Sequence, residues 1–337
     1  AFVTQKDFWV TEGGGDNPGD CAPLLNRNAG CLVNKPDGNG EVLGRAAGWK
    51  GLCGADKVEK LPPVQALKGA GTTESIIWRD AERTFKSESL RKQMITTLEA
   101  VADGDYHQGM GYFCGFLLLL VEPSDVSKIL HRVGADEMYT PGYWKGQPEA
   151  FVRDAMTYER LLEKRNPEVA AHLKAAGLVP EAYAQKWFVG LCVHTMPFKP
   201  LVELFEQFLK EGHMFLFKLS LAITDAIKGE VLAAKATEVN KLFELLRLDK
   251  KHFPDTMEEE KGFFSGIVKA AKEVELDAGE VKGVRDAQMA ALQEKLVQVR
   301  KKEQELKDAD DSDEIVFSDE DEDEEDEAER LARLAAQ

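Results

Sequence analysis

Asp80 and Arg83 stand three residues apart in the string Ile77-Trp78-Arg79-Asp80-Ala81-Glu82-Arg83-Thr84, and Tyr106-His107-Gln108 follows downstream. On a helix, positions i and i+3 share a face, so the carboxylate can pin the guanidinium and lower the entropy cost of presenting it. A pinned arginine is a permanent cation with a planar fork of donors. A glutamine adds a carboxamide that both donates to and accepts from a water. Those two groups can stabilise a leaving phosphate and orient the attacking water in phosphoryl transfer. Each has a plainer reading when taken alone. Asp80–Arg83 would be a surface ion pair, and Gln108 a polar helix start. The chemistry rests on their occurring together.

Presenting such groups takes rigid elements, and the spacing of apolar residues is helical. Leu90, Met94, Ile95, Leu98 and Val101 recur on one face, with Ser87 and Ser89 as candidate caps. Phe113 to Val121 is apolar on all sides and stops at Glu122-Pro123, the pattern of a buried central helix. Leu201, Leu204, Phe205, Phe208 and Leu209 make one stripe, with Pro200 suited to the first turn. Phe215 to Ile227 reads as another buried helix. No stretch alternates polar and apolar residues for long enough to require a sheet, so the expected class is all-α.

Composition divides the chain. Residues 1–44 are a Gly/Pro/Asn-rich lead-in that favours turns over regular elements. A main helical domain spans 45–253. After His252-Phe253-Pro254 the sequence turns to Lys, Glu and Ala, giving a helical extension over 254–307. Met289, Leu292, Leu296, Val299 and Leu306 form a short heptad-like seam there, interrupted by Glu303. A seam this short reads as a helix packed on the domain rather than a free-standing coiled coil. Residues 308–337 are an acidic tail.

The 337 residues carry a formal charge of -17, but 15 of the 22 residues from Asp308 to Glu329 are acidic, leaving 1–307 at about -4. The acidity therefore belongs to the tail, where Ile315-Val316-Phe317 reads as incidental in a solubilising spacer. Its sign argues against nucleic acid and anionic membrane surfaces. Five cysteines (21, 31, 53, 114 and 192) include no C-x-x-C pair, the scattered usage of a reducing compartment. The six histidines are far apart, without metal-ligand spacing, and His194 and His213 read as structural. There is no phosphate-binding G-x-x-x-x-G-K-[ST] string and no G-x-S-x-G elbow. The longest apolar run, Tyr112 to Val121, is half of the about 20 residues a membrane span requires. Gln5-Lys6-Asp7 interrupts the N-terminal apolar stretch, so no signal peptide is visible. A soluble, intracellular protein is expected. Ala1 leaves open whether an initiator Met was removed or the chain is a piece of something longer.

I-x-x-D-x-x-R-T at 77–84, Y-x-Q-G-M at 106–110, and an apolar helix opened by Trp187-Phe188 and followed by Met196-Pro197 together resemble the TBC domain, the Rab GTPase-activating fold. Arg45 and Trp49 fit its early R-x-x-x-W string, and the resemblance covers residues 45–250. Lys86 stands where a Pro often follows R-T-F, and Phe205-Glu206 where a Trp-Asp pair is usual. The resemblance implies a multi-helical domain that activates a partner rather than a stand-alone enzyme. Arg83 would be its arginine finger and Gln108 its glutamine finger, the latter replacing the GTPase's own. Asp80 would orient the arginine and Tyr106 would support the pair, with His107 at the variable position. It also implies no cofactor of the chain's own, since GTP and Mg belong to a Rab-type partner. It implies no direct membrane insertion, and a cytoplasmic role in membrane trafficking with recruitment to an organelle or a large assembly. The C-terminal extension offers a place for further protein partners. The rival reading is a TBC-fold scaffold that docks a Rab or an assembly without GTPase activation. A pure scaffold has no physical need of both fingers, which favours the activator.

Overall fold

The computed structural model describes residue 42, residues 44–85 and residues 88–310, with side chains as far as Lys302. Ser87, most of the lead-in and the tail beyond Asp310 lie outside the described residues. The class is all-α, with no strand among the described residues. The helices, in chain order, are α1 (Trp49–Leu52), α2 (Ile76–Thr84), α3 (Glu88–Glu99), α4 (Gln108–Leu118), α5 (Pro123–Ala135), α6 (Glu149–Arg165), α7 (Pro167–Ala175) and α8 (Pro180–Phe188). They continue with α9 (Phe198–Glu211), α10 (His213–Ala226), α11 (Lys228–Ala233), α12 (Val239–Leu246), α13 (Thr256–Lys261), α14 (Phe263–Glu273) and α15 (Ala278–Asp310).

The apolar run expected at the centre is α4, in which Gly109, Met110, Gly111 and Phe113 to Leu118 are all buried. It lies against α2, α3 and α5. The helix ends at Leu118, short of Val121, because the last residues tighten: Leu119 and Leu120 donate to carbonyls only three residues back. Phe113 and Phe116 stack on Phe205 of α9 at 4.9 and 4.8 Å, and Trp49 of α1 meets Phe116 and Phe205 at 6.2 Å each. Such ring pairs contribute about 0.5–1.5 kcal/mol beyond the area they bury.

Above this stack, Arg45 donates to both oxygens of Glu206 at 2.8 and 2.6 Å, and the Trp49 indole N–H reaches the same carboxylate at 3.5 Å. Phe205-Glu206 thus still offers a ring to Trp49 and a carboxylate to Arg45. The Arg45–Glu206 contact joins residues 161 positions apart.

Trp187 and Phe188 close α8; they do not open an apolar helix. Leu191 and Cys192 at φ 45° and 58° turn the chain into the left-handed region, which no helix continues. Both aromatic rings are nevertheless buried, against Tyr158, Tyr183 and Phe217.

The helices after Pro254 share the main core. Phe264, Ile267, Val268 and Ala271 of α14 are buried against α9 and α10. The long α15 lies on α6, with Val281 and Leu292 buried and Met289, Leu296 and Val299 partly so. It runs three residues past the boundary expected at Lys307. Its anchor is Arg285, which donates to both oxygens of Asp154 at 2.8 and 3.1 Å. Asp154 is fully buried and also takes both Arg153 donors and the Tyr143 hydroxyl. Burial alone would push its carboxyl up, but the two guanidiniums hold it below the ordinary carboxylate range. Arg285 reaches His213 Nε2 at 2.9 Å as well, while His213 Nδ1 binds the Met138 carbonyl at 2.9 Å. The histidine is a satisfied structural one, as its sequence context suggests.

Gly212 joins α9 to α10 at φ 63°, ψ -143°, a region essentially closed to other residues. A Cβ there would overlap the Met138 carbonyl oxygen, the one that His213 N–H and Nδ1 both engage. Gly212→Ala should therefore cost about 3 kcal/mol of stability, read as a lowered urea midpoint, with the clash adding to the backbone strain.

Candidate functional site

The two strings that opened the sequence meet at one carboxylate. Asp80, on the buried side of α2, is 3% exposed, so its oxygens need donors from the protein. Three side chains supply them. The Tyr106 hydroxyl donates to Oδ2 at 2.8 Å, and Gln108 Nε2 donates to Oδ1 at 3.2 Å. Arg83 Nη2 donates to Oδ1 from one turn further along α2. All four residues singled out in the sequence are thus brought together, although α2 and α4 are separated by more than twenty residues.

Their exposures differ in a way that matters. Tyr106 is buried, and burial together with the neighbouring Asp80 charge pushes its phenol well above the ordinary range, so it stays a donor. The Arg83 side chain is 62% exposed. Its Nη2 is held by Asp80 while most of the side chain is exposed. Gln108 is half-buried at the first position of α4. A carboxylate accepts only, so the amide nitrogen must face Asp80, and Oε1 turns away from it.

The approach of α4 to this carboxylate depends on two glycines. A Cβ at Gly109 would run into Val189, and one at Gly111 would run into the Tyr106 hydroxyl. The G-M-G after Gln108 is therefore a packing requirement of Tyr106 and of the turn after α8. The loop before α4 is also tied down. Asp105 accepts from Tyr106 N–H at 2.8 Å and Gly146 N–H at 2.7 Å, and Asp103 accepts from Gln65 N–H at 2.8 Å.

Two residues that the sequence reading did not select border the site. Tyr112 lies one turn after Gln108 and meets the edge of His194 at 4.5 Å between ring centres. Burial, then the Asp80 charge, raises Tyr112 to about 12, with Arg83 opposing. Burial, then Lys186, lowers His194 to about 4, so its ring is neutral at physiological pH. The i+4 spacing from Gln108 was a usable signal for Tyr112. Nothing in the local sequence marked His194, which arrives on the left-handed turn at Leu191–Cys192. Among the described residues, no group of three His, Cys, Asp or Glu side chains is placed to hold a metal ion.

The profile of the Rab-GTPase-TBC domain matches residues 45–232, which include α2, α4 and every residue of this site. The chain belongs to the TBC family. A TBC relative, Carabin of Mus musculus, is 28% identical over 204 residues, 56% of this chain and 46% of that one. The Ecotropic viral integration site 5 ortholog of Drosophila melanogaster is 24% identical over 283 residues, 78% of this chain and 33% of that one. Rab GTPase-activating protein tbc-11 of Caenorhabditis elegans is 25% identical over 176 residues, 48% of this chain and 18% of that one. The chain spans less than half the length of each of these relatives. The TBC domain of a Chlamydomonas flagellar RabGAP superposes with a TM-score of 0.52 at 16% identity, covering 68% of this chain and 79% of that one. That likeness shows the fold. No described helix is long and apolar enough to cross a membrane.

Two outcomes are expected from this geometry. Gly111→Ala should displace the Tyr106 hydroxyl from Asp80, leaving a buried carboxylate short of a donor and lowering the urea unfolding free energy by about 1–3 kcal/mol. Separately, the unfolded chain protonates at His194 near the ordinary ~6.5 while the folded chain waits until about 4. Stability should therefore fall as pH drops from about 6.5 to about 4, and His194→Gln should flatten part of that slope in urea midpoints measured across the window.

Proposed function

We propose that this chain accelerates GTP hydrolysis by a Rab-type small GTPase, with Arg83 and Gln108 inserted in trans as arginine and glutamine fingers. The observation that carries the reading is the convergence of both residues on Asp80. One carboxylate aligns a cation and a carboxamide on a common, partly exposed surface. GTP and Mg would be carried by the partner, and the chain would act on that partner rather than on a substrate of its own. The names of the relatives, one of them a Rab GTPase-activating protein, point to the same class of partner.

The chemistry follows from what each group can still do while bound to Asp80. Arg83 keeps the outward part of its fork for the phosphoryl oxygens, where negative charge builds as the leaving group departs. Asp80 holds the guanidinium in place, so less entropy is lost when the partner docks. Gln108 uses its nitrogen on Asp80 and keeps Oε1 as an acceptor for the attacking water's O–H. Tyr106 satisfies the remaining carboxylate oxygen without competing for either task.

A single-turnover phosphate-release assay across a panel of Rab-type GTPases tests this. Wild-type chain should accelerate its cognate GTPase by about 10³–10⁵. Arg83→Ala should abolish the effect without loss of fold, and Arg83→Lys should fail too, because a point charge cannot reproduce the fork. A GTPase with Gln→Leu at its water-orienting position should still respond to wild-type chain but respond far less to Gln108→Ala. Binding without acceleration by wild-type chain would instead identify a docking protein.

A further inference from the structure

The residue between Tyr106 and Gln108 fits no role in the scheme above, yet its placement is specific. His107 occupies the position just before α4, with extended backbone at φ -125°, ψ 139°, and its Nδ1 accepts from Gly109 N–H at 3.0 Å. It is the side-chain N-cap of the helix that begins with Gln108. The neighbouring helices α2 and α5 have no side-chain cap. The contact also uses Gly109, because a Cβ there would sit 3.2 Å from His107 Nδ1.

We propose that His107 is a positioning residue for Gln108, fixing the first turn of α4 so that the carboxamide stays aimed; this rests on the reading of Gln108 as a glutamine finger. The first N–H groups of a helix lack partners within it, and an uncapped first turn frays. Gln108 is the residue that fraying would release. Its bond to Asp80, at 3.2 Å, is at the long end for a hydrogen bond and terminates a flexible side chain. The backbone on either side is already held, by Asp105 on Tyr106 N–H and by His107 O accepting from Met110 N–H at 2.9 Å. The imidazole nitrogen closes the remaining gap. To accept at Nδ1 the ring carries its proton on Nε2, so the cap is a neutral histidine.

The test compares His107→Phe, which keeps a ring and loses the acceptor, with His107→Asn, which loses the ring and keeps a capping oxygen. Amide hydrogen exchange at Gly109 in the full chain is the first readout and needs no GTPase. Phe should raise that exchange about fivefold and Asn should restore it, in line with a typical N-cap. The second readout is GTP hydrolysis by the cognate GTPase, in which Phe should lower kcat about fivefold with KM changed less than twofold, and Asn should recover kcat. If Phe leaves both exchange and kcat unchanged, or if Asn behaves as Phe does, the ring acts by packing and the inference is wrong. Should His107→Phe fail to fold, retained protection in the Asn variant supports the cap and lost protection overturns it. A wild-type chain that accelerates no GTPase would refute the finger reading, while exchange at Gly109 would still decide whether His107 holds the start of α4.

Discussion

The site is organised by one electrostatic constraint: a carboxylate 3% exposed to water cannot be left without donors. Asp80 answers it with an arginine of its own helix, a glutamine amide at the start of α4 and a tyrosine hydroxyl from the loop before α4. Satisfying the carboxylate orders the very groups that face outward. The cation and the carboxamide are therefore held by one shared carboxylate. The hydrogen bonds that satisfy Asp80 are the same ones that hold the arginine and glutamine side chains in place.

Holding α2 and α4 at that distance falls to the packing behind them. The stack of Phe113 and Phe116 on Phe205 and Trp49 fixes the back of α4, and the Arg45–Glu206 clasp fixes the helices that carry the outer rings. Gly109 and Gly111, on opposite sides of α4, remove the side chains that would keep it away from Val189 and Tyr106. Close packing of this kind leaves little room for the helix to shift.

A second buried carboxylate, near the middle of the chain, gathers its own set of donors. Asp154 gathers Arg153, Tyr143 and Arg285, the last from α15, and so couples the C-terminal helices to α6. The matched TBC segment ends at residue 232, inside α11, yet α14 supplies buried residues to the same core. The packed unit thus reaches beyond the segment that defines the family, through apolar contacts on α14 and through ions on α15.

The sequence by itself determined the helical class, the buried character of α4 and the stripe of α9, because these depend on the period of apolar residues within a few turns. It also marked Asp80, Arg83, Tyr106 and Gln108, since helical spacing links the first pair and a short string holds the second. It did not determine where helices stop. The 3₁₀ tightening after Leu118 and the left-handed turn at Leu191–Cys192 carry no apolar period, and so Trp187-Phe188 looked like a start and is an end. Only the tertiary structure decided that the two strings share one carboxylate, that Phe205-Glu206 closes on Arg45 and Trp49, and that His194 comes to rest against Tyr112. The physical reason is the same in each case: these contacts join residues that no local periodicity relates, and they exist only once the core has set the distance between helices.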